Sequence, residues 1–469
     1  MKSSKPAKKF RTERDSMGEM QIPAGMLYGA STQRAVLNFP ISGRTFSRAF
    51  IHALGQIKLS AAKANLKLKR LDGRRAAAIV SAAGRVRDGH FDGHFVLDIF
   101  QTGSGTSTNM NANEVIATLA NRKLGVAGNA PGRVHPNDHV NKGQSSNDVI
   151  PTAIHVAAVL EMRGALIPAL HKLEKTLAQK ARRFARIHKI GRTHLQDATP
   201  VTLGLEFGGY AEQAHKSIQR LEKAIASLRE LPLGGTAVGT GINTHPRFAR
   251  EAIADLNRAC GEKFFEAKNH FEAQSAKDAC VEASGQLKAV AVALMKIAND
   301  LRWLGSGPRA GFAEIKLPAV QPGSSIMPGK INPVMSEALL QAAAEVIGND
   351  TAITIAGQYG NFELNVMMPL IAYNLLESVR LLANAVNVFT DRCVAGIEAD
   401  RRVCESQIEK SLMLCTALVP RLGYDKSAEL AKEAYKAGKT IRQIVLEKKL
   451  IPEKELARLL NVENLSAGE

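Results

Sequence analysis

Aromatic side chains are scarce in this chain: one Trp, six Tyr and 16 Phe make up 5% of 469 residues. That leaves few platforms on which nucleic-acid bases could stack, and no nucleic-acid motif accompanies them, so no nucleic-acid partner is expected. Cysteine is equally sparse. Cys260, Cys280, Cys393, Cys404 and Cys415 form no C-x-x-C pair, and an odd count on so long a chain does not describe a disulfide framework. The expectation is a reducing, cytoplasmic setting, with no metal and no cofactor. Long apolar runs are missing too. None approaches the ~18–20 residues a membrane helix needs, and the most apolar helical stretch, Ala289 to Met295, is flanked by Lys288 and Lys296. No membrane partner is expected. Acids are outnumbered, 44 against 62 Lys and Arg, for a net charge of +18. Such an excess admits nucleic acid, an anionic surface or an anionic substrate.

Hydrophobic residues make up an ordinary 45%, which excludes a disordered chain. Part of the charge sits at the start. Lys2, Lys5, Lys8, Lys9, Arg11 and Arg14 against Glu13 carry +5 over residues 1–14. This stretch lacks the apolar core of a secretory signal, and acids follow closely at Asp15 and Glu19. It reads as a solvated, mobile arm.

Apolar spacing predicts long helices. Ala211, Ala214, Ile218, Leu221, Ile225 and Leu228 alternate spacings of 3 and 4, as do Leu287, Val290, Leu294, Ile297, Leu301 and Leu304. Each set draws one stripe on a helix built to pack in a bundle. Leu166, Leu170, Leu173 and Leu177 draw a third, and Asn365 to Phe389 a fourth, with Pro369 near its start or a kink. Outside the N-terminus no strand of useful length is expected. The fold class is therefore mainly α, with three regions. Residues 1–142 form a mixed, mostly helical N-terminal domain, 143–400 a central long-helix bundle, and 401–469 a small helical C-terminal domain.

Gly and Pro gather between the helices, in Gln101–Asn113, Arg133–Asp148, Gly191–Gly209, Leu231–Pro246 and Pro318–Pro333. The first of these offers hydroxyls, amides and backbone N–H groups to an anion, or caps a helix whose interior runs Asn113-Glu-Val-Ile-Ala. The second concentrates His, Asp and Asn, but its spacing fits no zinc pattern and it holds too few carboxylates for a hard cation. His194, in a polar loop between bundle helices, is placed to exchange protons near neutral pH. The last segment, Gln321 to Val334, carries Ser324, Ser325, Lys330 and Asn332 between glycines and prolines, with Glu337 opening the next helix. It suits a lid that closes over an anion and supplies N–H donors.

GSSIMPGKINP, Gly323 to Pro333, resembles the GSSxxPxKxN signature of the fumarase/aspartase superfamily. The resemblance covers nearly the whole chain, from about Phe10 to SLMLCTALVPRLGYDKSAELAKEA at Ser411 to Ala434. QTGSGTSTNMN, GRTHLQDATP and LPLGGTAVGTGINTHP resemble the class II fumarases rather than the aspartases. Ser107, Gly143 and Leu205 depart from the common fumarase pattern. The resemblance implies a hydro-lyase of the tricarboxylic acid cycle that interconverts fumarate and L-malate through an aci-carboxylate, with an aspartate ammonia-lyase as the alternative. It implies Ser324 as base, acting as an alkoxide, and His194 paired with Glu337 to protonate the departing hydroxyl. Lys330 and Asn332 would stabilise the oxyanions, and Ser104, Thr106, Ser145, Ser146, Asn147 and Thr193 would hold the carboxylates. It implies a homotetramer with a twenty-helix core and sites shared among three subunits. A second, peripheral dicarboxylate site would fall at His135, Asn137 and Asp138. A non-enzymatic relative of the lens-crystallin kind is the rival from another class.

Overall fold

The computed structural model describes residues 10–126 and 130–467. Helices dominate, and every apolar stripe read from the spacing is a buried helix face. Leu287, Val290, Leu294, Ile297 and Leu301 are at most 1% exposed on the helix Asp278–Leu304. Leu170, Leu173 and Leu177 are buried on Ile167–Arg183, and Ile218, Leu221, Ile225 and Leu228 on Leu203–Leu228. Pro369 lies in the first turn of Met368–Arg392, where its missing N–H costs nothing. With Val334–Gly357 these make five of the long helices, alongside Arg48–Lys67 and Thr106–Leu124.

The described residues group into two compact units: 10–126 and 130–167 with 219–291 and 344–382, and 168–218 with 292–343 and 383–467. In the first unit, Asp350 accepts hydrogen bonds from Ser284 Oγ at 2.8 Å and Lys288 Nζ at 2.6 Å, and Asn349 donates to Ser378 at 3.2 Å. In the second, Tyr210 donates to Asp300 at 3.1 Å and Lys172 to Asp391 at 2.6 Å. These bonds join neighbouring long helices, and three of the five lie in the part-buried or exposed flank of the pair rather than in its apolar seam. A smaller apolar cluster runs from Ile408 to Leu460, including Leu418, Leu430, Ile441 and Val445.

Two expectations need correction. The segment from Gly191 is not a loop between bundle helices. His188–Thr193 and Gln196–Thr202 pair as an antiparallel hairpin, and the helix begins at Leu203. A bulge between Ile190 and Arg192 and Pro200 within the second strand erase the period-two pattern that would reveal a strand. The basic arm is also not wholly mobile. Lys2, Lys5, Lys8 and Lys9 lie outside the described residues, but Phe10–Asp15 pairs with Gly18–Pro23. There the Arg11 guanidinium donates to the carbonyls of Pro23, Met26 and Tyr28.

The helical stretch Ser146–Arg183 is long and apolar enough to cross a bilayer by length and composition, a feature that the absence of one uninterrupted run concealed. Its apolar window is 67% buried inside the protein, the mark of a core helix. All five cysteines are free and four are buried; burial pushes the Cys280 and Cys393 thiols up to about 12.

Candidate functional site

The residues singled out from the sequence fall into two groups, one in each unit. In the first unit the helix Thr106–Leu124 starts earlier than its Ser and Thr residues suggested, and its cap comes from elsewhere. Gln101 Oε1 accepts from Thr108 N at 3.0 Å and Thr108 Oγ1 at 2.9 Å. That leaves the Ser104 and Thr106 hydroxyls 2.8 Å apart, bonded to each other and not spent on capping. Gly105 sits at φ +70°, and a Cβ there would press on Ile150, so only glycine lets this loop close onto the next helix.

That helix, Ser146–Glu161, opens with a capping box. Ser145 Oγ accepts from Asn147 N at 3.2 Å, and Ser145 N donates to Asp148 at 2.8 Å. Ser146 Oγ accepts from Asn109 Nδ2 at 3.0 Å, which ties this turn to the Ser104–Thr106 loop. Asn147 Nδ2 donates to Ala237 O at 2.8 Å, and Asp148 accepts from Gly234 N and Thr236 N at 3.0 and 3.1 Å. Burial raises the Asp148 carboxyl to about 6, against the three backbone donors that hold it down. The departure at Gly143 has a local cause: φ is +70° and a Cβ would meet Thr244 Oγ1. His135 caps the short turn Pro136–Val140, its Nδ1 accepting from Asn137 N and Asp138 N at 3.3 and 3.2 Å, while the Asn137 and Asp138 side chains are exposed.

In the second unit the His188–Thr202 hairpin has an anchored root and an exposed tip. Lys189 Nζ lies 2.6 Å from Glu206 and 3.1 Å from Glu314, and Arg192 lies 2.8 Å from Glu314. The Lys189 and Glu314 side chains are fully buried. His194 and Leu195 form the two-residue turn with φ of 56° and 60°, a conformation that Asn-Gly adopts more readily. Thr193 and His194 are exposed at this strained tip, held there by the buried ions beneath.

The segment before Val334–Gly357 folds on itself. Gly323 N donates to Lys330 O at 2.8 Å, and Asn332 Nδ2 donates to Gly323 O at 2.5 Å. Inside this clasp the Ser324 Oγ accepts from Met327 N at 2.8 Å and Ile326 N at 3.2 Å. Two backbone donors on one hydroxyl oxygen favour its charged form. The rim is solvent-facing, with Ile326 83% exposed and Lys330 exposed beside it. Glu337 is half-buried in the first helical turn. No hydrogen bond or ion pair joins His194 to Glu337 within the chain among the described residues.

Two buried polar residues bonded into the turn that leads into Ser145–Asn147, Asn109 and Lys58, escaped the sequence reading. The signal was there: Lys58 interrupts the apolar helix face of Leu54, Ala61 and Ala62, and is fully buried. Among the described residues no group of three His, Cys, Asp or Glu side chains could hold a metal ion.

A family described as "Lyase" matches residues 18–348, and one described as "Fumarase C C-terminus" matches residues 414–467. The chain is 51% identical over 460 residues to the class II fumarate hydratase of Xylella fastidiosa, covering 98% of this chain and 96% of that protein. It is 53% identical over 437 residues to that of Nitrosomonas europaea, covering 93% and 95%. Among solved structures, the class II fumarase of Schistosoma mansoni is similar with a TM-score of 0.96 at 37% identity, covering 98% of this chain and all of that one. The helical architecture, the clasped Gly323–Pro333 segment and full-length identity near one half agree, and the chain belongs to the class II fumarase family of lyases.

Proposed function

We propose that this chain hydrates fumarate to L-malate reversibly, with Ser324 as the base that works on C3 of malate. The observation that carries this reading is the pair of backbone N–H groups on Ser324 Oγ. The C3 proton is a very weak acid, so its acceptor must be a strong base, and an alkoxide is strong enough only where fixed donors stabilise it. Ser324 takes the proton, and the C–H electrons move into the adjacent carboxylate, giving the aci-carboxylate dianion. Lys330 and Asn332 meet that charge. The electrons then return to form the C2=C3 bond as the C2 hydroxyl departs. His194, oriented by Glu337, delivers a proton through water, and the hydroxyl leaves as water on the face opposite the base.

Ser104, Thr106, Ser145, Ser146, Asn147 and Thr193 are the proposed carboxylate donors. The proposed assembly is a homotetramer with sites shared among three subunits. Two features support it: His194 and Glu337 do not pair within one chain, and Val292, Trp303, Ile355 and Val388 on the long helices are 42–54% exposed. The peripheral dicarboxylate site at His135, Asn137 and Asp138 is proposed on their shared exposed turn. A separate C-terminal domain from 401 is supported by the apolar cluster that begins at Ile408. Free, buried thiols support a cytoplasmic location.

An absorbance assay that follows fumarate tests the substrate. Turnover of L-malate is expected, with L-aspartate turned over at least ~100-fold more slowly, as when a site built for one leaving group meets another. Robust release of fumarate from aspartate and none from malate would reverse the reading. The charge of +18 adds a second expectation. With a dianionic substrate, kcat/KM falls severalfold as salt rises from roughly 10 to 150 mM, because the Debye length shrinks from ~30 to ~8 Å. A flat response would assign the charge to solubility instead.

A further inference from the structure

Lys58 lies on the helix Arg48–Lys67 with its side chain fully buried, beneath the turn that leads into Ser145–Asn147. Its Nζ donates to Asn141 Oδ1 at 2.8 Å and to Gln144 Oε1 at 3.0 Å. Asn141 Oδ1 also accepts from Asn109 Nδ2 at 3.2 Å, and the same Asn109 nitrogen donates to Ser146 Oγ at 3.0 Å. Asn141 Nδ2 donates to Gln144 O at 3.1 Å, so both amides of the turn are committed.

An ammonium group has only donors, whereas a side-chain amide can turn either end toward a neighbour. Lys58 therefore dictates that Asn141 presents its oxygen, and that oxygen dictates that Asn109 presents its NH2. The Asn109 nitrogen in turn makes Ser146 an acceptor on its inner side, which frees the Ser146 O–H to donate outward. We propose that Lys58 is a positioning residue that sets the direction of this relay, so that Ser146 faces a substrate carboxylate as a hydrogen-bond donor. This rests on the fumarate-hydration reading, which supplies the dicarboxylate. Burial pushes the Lys58 ammonium down to about 7 while the field of Asp148 holds it up, and the two amide oxygens facing Nζ select its protonated, donor-only form. A chain of polarised hydrogen bonds in a low-dielectric interior also strengthens its terminal donor.

A double-mutant cycle on the full-length protein tests this, with succinate affinity from calorimetry and the KM for fumarate read for Lys58→Met, Ser146→Ala and the pair. Lys63→Gln, on the same helix but paired with Asp255, serves as control. Each single substitution at Lys58 or Ser146 is expected to weaken succinate binding and raise KM roughly tenfold, with kcat changed less than about threefold. The pair is expected to cost little more than either alone, because both remove the same outward donor. A hundredfold loss in the pair, or unchanged affinity in Lys58→Met, would overturn the proposal. If the Met variant fails to fold, Lys58→Gln tests the same relay by rescue: its amide NH2 still donates toward Asn141, so succinate affinity within about threefold of wild type is expected and a tenfold loss would overturn the proposal. Succinate affinity that follows the expected cycle in a wild-type protein without fumarate turnover would sink the reaction and keep Lys58. Wild-type protein that binds no succinate would sink both.

Discussion

Ser324→Ala is expected to lower kcat for fumarate and malate by roughly a thousandfold, within the 10²–10⁴ range for a positioned acid–base group, with KM little changed. The split follows from where the group acts. The alkoxide meets the C3 proton only as the C–H bond breaks, so its loss is felt in the transition state and scarcely in the bound substrate. Ser325→Ala is the internal control. Its side chain is exposed and, among the described residues, no backbone N–H donates to it, unlike the Ile326 and Met327 groups on Ser324. It should keep most of the rate. Steady-state kinetics of the two purified variants decides the matter, and full activity in Ser324→Ala would remove Ser324 from the mechanism.

The second large effect is on stability. Glu314 is fully buried between Lys189 and Arg192, and Lys189 is fully buried as well. Glu314→Ala leaves Arg192 without its carboxylate and Lys189 with Glu206 alone. Removing one partner of a buried ion cluster costs about 3–5 kcal/mol, far more than any exposed pair on this surface, because the remaining charge stays desolvated. The thermal midpoint should fall by about 4 °C. Turnover should suffer too, since the cluster holds the root of the hairpin that carries His194. Lys67→Ala, which breaks a pair with Glu251 on a largely exposed lysine, should shift the midpoint by no more than a degree or two. Differential scanning fluorimetry on the three proteins measures this, and an unshifted Glu314→Ala would show that the cluster is structurally dispensable.

These outcomes also mark how far the sequence could be read. Helix faces were legible because burial of an apolar stripe repeats every 3.6 residues, so Leu287 to Leu304 announces its buried side without knowledge of what covers it. The clustering of functional groups in Gly323–Pro333 was legible because hydroxyl, cation and amide lie within eleven residues of one another. The hairpin that presents His194 was not. Its strands are broken by a bulge and a proline, and a two-strand ribbon has no layer of its own to impose alternation. The early start of Thr106–Leu124 was hidden for a related reason, since its cap, Gln101, lies outside the residues that propensity marks as caps.

By itself, then, the sequence determined the long helices and the clustering of hydroxyl, amide and cationic side chains in the polar segments between them. Both follow from neighbours in the chain. The tertiary structure decided which charges are buried and what compensates them. Lys58 becomes a donor-only anchor because the turn of Asn141 and Gln144 folds over it, and Glu314 joins Lys189 and Arg192 across more than 120 residues of chain. Desolvation depends on everything that surrounds a group in space, and no local pattern records it.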